Sequence, residues 1–436
     1  MFTFYYNVFK KMKNLFLIVA IGLLIILFQF PDIPAHLAFD EIEFTKIALS
    51  LQNQQYIPYT TAATGHSTLY FYLILASFKL FGITSFALRL PSAIFGVLSP
   101  LVFYLIMKRI FIKQFSIFSA SWRIPILISI ALLLTLLLVT QRWYFNFARF
   151  SFEPTFLIFL ELAALYFLQK HLKKNHPRDA ILCGFFTGLT FHSYLPGRIF
   201  FLLPLTILLL HKQKHIILFS LTGFIVMLPL LGYLFSHPDM RVQQTVFIRD
   251  KIYTFSQKTE LVSQNLKKVG LMFYTQGDLN GRHNFPGKSA LNPIVGVLFT
   301  FGLLFALRDY KNTNNQIFIV FFLLSLIPII VTHPSDNPSM LRSFTALSAI
   351  IYFAGLSMQN FINKFKSQAA VVGIFLIIIV AVSAILDLRT YYLFQTRVQR
   401  NAFEVTCSLQ EVVKLNPNSL KEIPPRCRVT QDLFDL

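Results

Sequence analysis

Residues 15–30 read LFLIVAIGLLIILFQF, a run without a single charged side chain, and Lys10, Lys11 and Lys13 stand just before it. A helix crossing the hydrocarbon core of a bilayer needs roughly 20 mostly apolar residues. The run is long for the apolar region of a secretory signal, and no A-x-A cleavage site follows it, so it reads as a retained anchor. Working outward, comparable runs recur at 86–107, 124–139, 152–168, 180–191, 199–210, 216–235, 293–307, 317–331, 344–358 and 369–386. The pattern predicts an all-α polytopic membrane protein with about eleven transmembrane helices, within a range of 9 to 13.

Composition agrees. Of 436 residues, 55% are hydrophobic and 13% charged, against roughly 25% charged in soluble domains. Phe occurs 50 times, which suits a lipid-facing surface. A formal net charge of +20 in a soluble chain would point to nucleic acid. Here the basic residues form short clusters between apolar runs, the arrangement of membrane-topology signals, and nucleic-acid binding is excluded.

Those clusters set an orientation. Lys108, Arg109 and Lys113, the stretch from Lys170 to Arg178, Lys212 and Lys214, Arg308 and Lys311, and Lys364 and Lys366 alternate correctly if the N-terminus is cytoplasmic. The expected location is the cell (plasma or inner) membrane. A single transmembrane module then covers residues 1–386, with a first outer loop at 31–85 and a long outer loop at 236–291. A short non-cytoplasmic tail follows at 387–436. Asp40, Glu41, Glu43, Asp278 and Asp336 fall outside and Glu153 lies at the outer end of its run, whereas only Asp179 and Asp309 lie in cytoplasmic loops. Acidic residues carry little topological information, so this clustering indicates a functional outer face. The tail places Cys407 and Cys427 in an oxidising compartment, where they are expected to pair. Cys183, inside a run, reads as a packing residue.

The first outer loop is the most informative stretch. In FDEIEFTKIALSLQNQQYIP, from Phe39, the acids Asp40, Glu41 and Glu43 open a segment with apolar residues at Ile42, Phe44, Ile47, Ala48 and Leu51. That spacing predicts an amphipathic helix lying on the membrane surface, and the short apolar segment 69–80 predicts a second interfacial helix. An acid at a first helical turn complements the dipole. That suffices for Glu43, but capping needs only one acid, so adjacent Asp40 and Glu41 point to chemistry.

This stretch resembles the first-loop signature of the GT-C membrane glycosyltransferases, in particular the protein O-mannosyltransferase and aminoarabinose-transferase-like group. The resemblance continues through HSTLYFYLILASFKLFG, ALRLPSAIFGVL, ARFSFEPTFLIFLELAALYFL, YTQGDLNGRHNFPG and SMLRSFTALSAI. It is close over the first two hundred residues and looser beyond. Three positions depart from it: Ser67–Thr68 replaces a Pro-Pro pair, Glu43–Phe44 stands where the aminoarabinose-type enzymes carry Arg–Tyr, and His66 is at best the replacement for a basic residue used there for the lipid phosphate.

The resemblance implies an inverting glycosyltransferase that moves a sugar from a polyprenyl-phosphate-linked donor to a protein, glycolipid or glycan acceptor at the outer face of the membrane. Asp40 would be its general base, with Glu41 beside it. Charge develops at the anomeric carbon as in glycoside hydrolysis, and guanidinium groups suit the departing phosphate. The candidates for phosphate or sugar are His66, Arg149, Glu153, Arg198, Arg282, His283 and Arg342, each near an outer boundary. Arg342 ranks first. For Arg149 and Glu153, one helical turn apart, a local ion pair is the plainer reading. No cofactor is expected to be required. A divalent cation held by Asp40, Glu41 and Glu153 is the open alternative, although no dense carboxylate cluster is visible. The competing readings are a transporter or flippase of lipid-linked sugars, or a non-catalytic lipid-sugar binding protein.

Overall fold

In the computed structural model the described residues are 2–112, 114–117, 126–415 and 423–428. Lys113, positions 124–125 of the third expected span, and parts of the tail lie outside them.

The apolar runs fold as helices: α1 (Phe2–Leu27), α2 (Phe39–Ser50), α3 (Leu69–Phe81), α4 (Ser85–Ile110), α5 (Ile130–Val139), α6 (Arg142–Phe147), α7 (Pro154–Lys174), α8 (Pro177–Phe191) and α9 (Leu202–Leu210). They continue as α10 (Ile216–Ser236), α11 (Met240–Thr245), α12 (Phe255–Tyr274), α13 (Pro293–Arg308), α14 (Thr313–Ile330), α15 (Ala346–Lys364), α16 (Ala369–Arg389), α17 (Thr396–Ala402) and α18 (Leu409–Leu415). Two short antiparallel hairpins complete the described chain: β1 (Tyr59–Thr60) with β2 (His66–Ser67), and β3 (Gln114–Ile117) with β4 (Ile126–Ser129).

Five of the described helices are long and apolar enough to cross a membrane: α4, α7, α10, α14, and the continuous helix that begins at Ala370 and runs through α17. Other apolar helices, including α5 and α13, have 10 to 17 residues. Starts and stops follow local chemistry. Thr84 caps α4 by accepting from the Ala87 N–H at 3.1 Å, and Asn292 caps α13 through Val295. Pro154, Pro177 and Pro293 each open a helix where no N–H is needed. Helices α8 and α10 pack backbone to backbone because Gly184 and Gly188 face Phe219 and Gly223, where a Cβ has no room.

Three expectations need correction. The run 124–139 is not one helix: its first part pairs as β4, and α5 has only ten residues. Helix α2 does not lie open on a membrane surface. Its polar residues Glu41, Thr45 and Lys46 are buried along with its apolar ones, because α3 and α18 cover it. The last span does not stop at 386. It runs through a π-turn at Thr390–Gln395 into α17, so the tail begins as helix.

The tail then crosses beneath α2. Leu37 and Val405 exchange two backbone hydrogen bonds of 3.0 Å, and Val405 also bridges Arg428. Cys407 and Cys427 form a disulfide, as expected from the compartment, and Cys183 is buried.

Candidate functional site

The acidic pair divides on inspection. Glu41 is fully buried and takes a bidentate grip from Arg89 of α4, at 2.8 Å from Nε and 2.9 Å from Nη2. It also accepts from the Ala38 N–H at 3.0 Å, capping its own helix, and from the Ser151 N–H at 3.1 Å. Arg89 donates its remaining N–H groups to the carbonyls of Pro31, Pro34 and His36. Glu41 therefore ties α2, α4 and the 31–36 segment together and has no face for a substrate. Asp40, one residue earlier, points the other way. It is partly exposed and accepts from Arg282 Nη1 at 2.8 Å.

Arg149 is not a phosphate ligand, and its expected pairing with Glu153 is absent. It is fully buried, and its N–H groups go to the carbonyls of Ile25, Ile26, Phe28 and Ile33 at 2.7–3.3 Å. These carbonyls belong to the end of α1 and the turn beyond it, which need donors. A guanidinium there also complements the negative end of the helix dipole.

Glu153 instead holds His66. The imidazole Nδ1 lies 2.9 Å from Glu153 Oε1, and Arg241 Nη1 lies 2.7 Å from Nε2. Nε2 also lies 3.0 Å from the Ala63 carbonyl. Burial, aided by the Arg241 charge and opposed by Glu153, pushes the His66 pKa below its ordinary value, which favours the neutral ring. The hairpin that carries His66 turns at Gly65, φ 96°, where a Cβ would run into the Tyr59 hydroxyl.

Arg198 pairs with Asp239, the N-cap of α11, and reaches Ser67 Oγ at 3.3 Å. The Tyr59 hydroxyl donates to the same Asp239 at 3.1 Å. Arg342 pairs with Asp336 at 3.0 Å through Nη2, while its buried Nη1 has no partner among the described residues.

Two cavities meet at Tyr194, Arg241 and Arg342. The first is an apolar groove of about 200 Å³, walled by Leu195, Pro196, Ile199, Val242, Ile327, Pro328 and Val331, with Arg198, Arg241 and Arg342 also lining it. The second is a polar chamber of about 390 Å³ that continues past Arg241 and Arg342 to Asp278, Asn280, His283, Asp336 and Asn337. At its far wall His283 Nδ1 donates to Asp278 Oδ2 at 2.9 Å.

The structure thus brings His66, Glu153, Arg198 and Arg342 to one centre and sets Asp40, Arg282 and His283 along the neighbouring loop. It removes Glu41 and Arg149 to the scaffold. Asp40, Glu41 and Glu153, the alternative oxygen set for a cation, are engaged by Arg282, Arg89 and His66 respectively. Sequence reasoning missed Arg241, Asp239 and Tyr194. The available signal was the HPDMR stretch at 237–241, an acid and an arginine two apart just beyond a long apolar run.

Residues 65–233 match the family described as dolichyl-phosphate-mannose-protein mannosyltransferase. Solved structures share the fold. ArnT from Cupriavidus metallidurans bound to undecaprenyl phosphate superposes with a TM-score of 0.58 at 12% identity, covering 90% of this chain and 78% of that one. Its apo form gives 0.54 at 12% identity, covering 89% and 76%. The archaeal oligosaccharyltransferase AglB from Archaeoglobus fulgidus, in complex with an inhibitory peptide and a dolichol-phosphate, gives 0.52 at 13% identity. It is covered over 90% of this chain but only 56% of its own length, so the present chain spans little more than half of that protein. No curated protein sequence matches the chain. The protein is an integral membrane protein of GT-C fold. Over 65–233 it carries the pattern of the protein mannosyltransferase family.

Proposed function

We propose that this protein is a glycosyltransferase that uses a polyprenyl-phosphate-linked sugar, working at the face that carries α2, which is the non-cytoplasmic face. The observation that carries the reading is the continuity of an apolar groove, three arginines and a polar chamber, the order of tail, phosphate and sugar in such a donor. Neighbours of the same fold were solved with undecaprenyl phosphate and with dolichol-phosphate, which supports this assignment of the groove.

In this reading the first isoprene units lie along Ile199, Val242, Ile327 and Val331. Arg241, Arg342 and Arg198 hold the phosphate, and charge-assisted hydrogen bonds strengthen as it departs. The hydroxyl oxygen of a protein, glycolipid or glycan acceptor attacks the anomeric carbon from the opposite side. The bond from that carbon to the phosphate oxygen breaks, and its electron pair stays on the phosphate. Asp40 takes the hydroxyl proton once Arg282 yields, and the configuration at the anomeric carbon inverts. The sequence leaves the transferred sugar open among hexoses and pentoses.

Reconstitution in liposomes with labelled polyprenyl-phosphate mannose, glucose and aminoarabinose tests this. Transfer of label to water or to an added hydroxyl compound, lost in Asp40→Asn, is the expected result. Movement of intact donor across the bilayer without transfer would instead make the protein a lipid-sugar flippase. Donor binding with neither would make it a binding protein.

A further inference from the structure

The polar chamber has two ends, and the phosphate arginines occupy only one. At the other, Asp278 accepts three N–H groups: His283 Nδ1 at 2.9 Å, Met340 N at 2.8 Å and Asn280 N at 2.8 Å. A carboxylate so fully engaged holds the imidazole in one orientation with its proton on Nδ1. Nε2 then carries a lone pair and has no protein partner among the described residues, while the ring lines the chamber. Phe147 and Phe152 back the ring, with centroids 5.6 and 6.2 Å away. Asn146 of α6 fixes the loop from behind by donating to the carbonyls of Arg282 and His283 at 2.9 and 3.2 Å. A ring nitrogen held this firmly, on the chamber wall and without a protein partner among the described residues, is placed to accept from a ligand.

We infer that the Asp278–His283 end of the chamber is the acceptor subsite, and that His283 Nε2 receives a hydrogen bond from a hydroxyl of the acceptor next to the one that attacks. This rests on the glycosyltransferase reading and extends it to the second substrate. The chemical class follows from the walls. Nε2, with Nδ1 committed to Asp278, accepts an O–H, so the acceptor presents neighbouring hydroxyls to a chamber that carries both arginines and carboxylates. His283 orients the acceptor through one of them, and the proton of the attacking hydroxyl leaves to Asp40 as above.

The test is the partition of labelled sugar from the donor that wild type uses between water and glycerol, a surrogate hydroxyl acceptor, in full-length protein in liposomes. In His283→Ala the glycerol-to-water ratio falls roughly tenfold, the loss of about one hydrogen bond. His283→Gln, whose amide oxygen still accepts, recovers part of the ratio. A wild-type midpoint of thermal unfolding in both variants shows that they are folded. An unchanged ratio would overturn the inference, as would a rise in donor KM with the ratio preserved, which would make the dyad a donor-sugar contact. If wild-type protein consumes no donor at all, it is the glycosyltransferase reading that fails, and this inference with it.

Discussion

Asp40 and Glu41 are neighbours with the same chemistry, and their replacement has opposite consequences. Glu41→Gln leaves Arg89, only 1% exposed, with carbonyl acceptors but no counter-charge. Breaking one side of a buried pair costs about 3–5 kcal/mol, and the weakened cap at Ala38 adds about 1 kcal/mol. Asp40→Asn touches a pair whose side chains are 34% and 20% exposed, a class worth about 0.2–1 kcal/mol. In detergent, thermal unfolding followed by the loss of monodisperse protein on size exclusion shows a large drop in midpoint for Glu41→Gln and almost none for Asp40→Asn. Turnover per folded molecule behaves the other way, surviving in Glu41→Gln at low temperature and vanishing in Asp40→Asn. A Glu41→Gln protein as stable as wild type but inactive would refute the division of labour argued here.

Arg149→Ala strips the donors from the end of α1 and is expected to destabilise by at least about 3 kcal/mol, given about 1–3 kcal/mol for each buried carbonyl left unpaired. Arg149→Lys fails to rescue, since one ammonium cannot reach carbonyls spread around a planar fork; the midpoint of thermal unfolding reads both. Arg241→Ala raises donor KM roughly 10- to 150-fold, the worth of a hydrogen bond to a charged group, and transfer kinetics at varied donor measure it. For His66 the folded pKa is lowered, so the unfolded chain binds the proton first as pH falls. The stability of the neutral site is complete above about pH 6.5 and is lost as pH drops from there toward the folded value. Protonation of the folded ring, at that lowered value, sets a positive charge against Arg241, so donor affinity declines at a lower pH than the onset of the stability loss, and His66→Gln flattens both. Reducing the Cys407–Cys427 bond, which spans 20 residues, removes about 3 kcal/mol of chain constraint and makes the tail sensitive to limited proteolysis.

The long apolar runs were legible because lipid solvation demands length and composition, and nothing tertiary is needed to see them. The acidic pair was legible as a place but not as two roles. The partner of Glu41 is Arg89, inside a run that reads as a span, and no local spacing links positions 41 and 89. Arg149 exposes a deeper ambiguity. An arginine at membrane depth satisfies the same sequence pattern whether it faces a helix end or a phosphate, and only the fold says which carbonyls surround it. Arg241 was invisible for the converse reason. It lies in a long loop, where basic residues carry no topological meaning, and its significance arises when α11 brings it against His66 from 175 residues away. The burial of α2 was missed because α18, which covers it, comes from the far end of the chain.

The clasp around α2 has a bearing on biogenesis. Phe39 and Glu404, which meet at 3.4 Å, are separated by 365 positions, so a segment made early in synthesis waits for one made late. Insertion of the intervening helices leaves α2 unclasped until the residues beyond α17 arrive beside it.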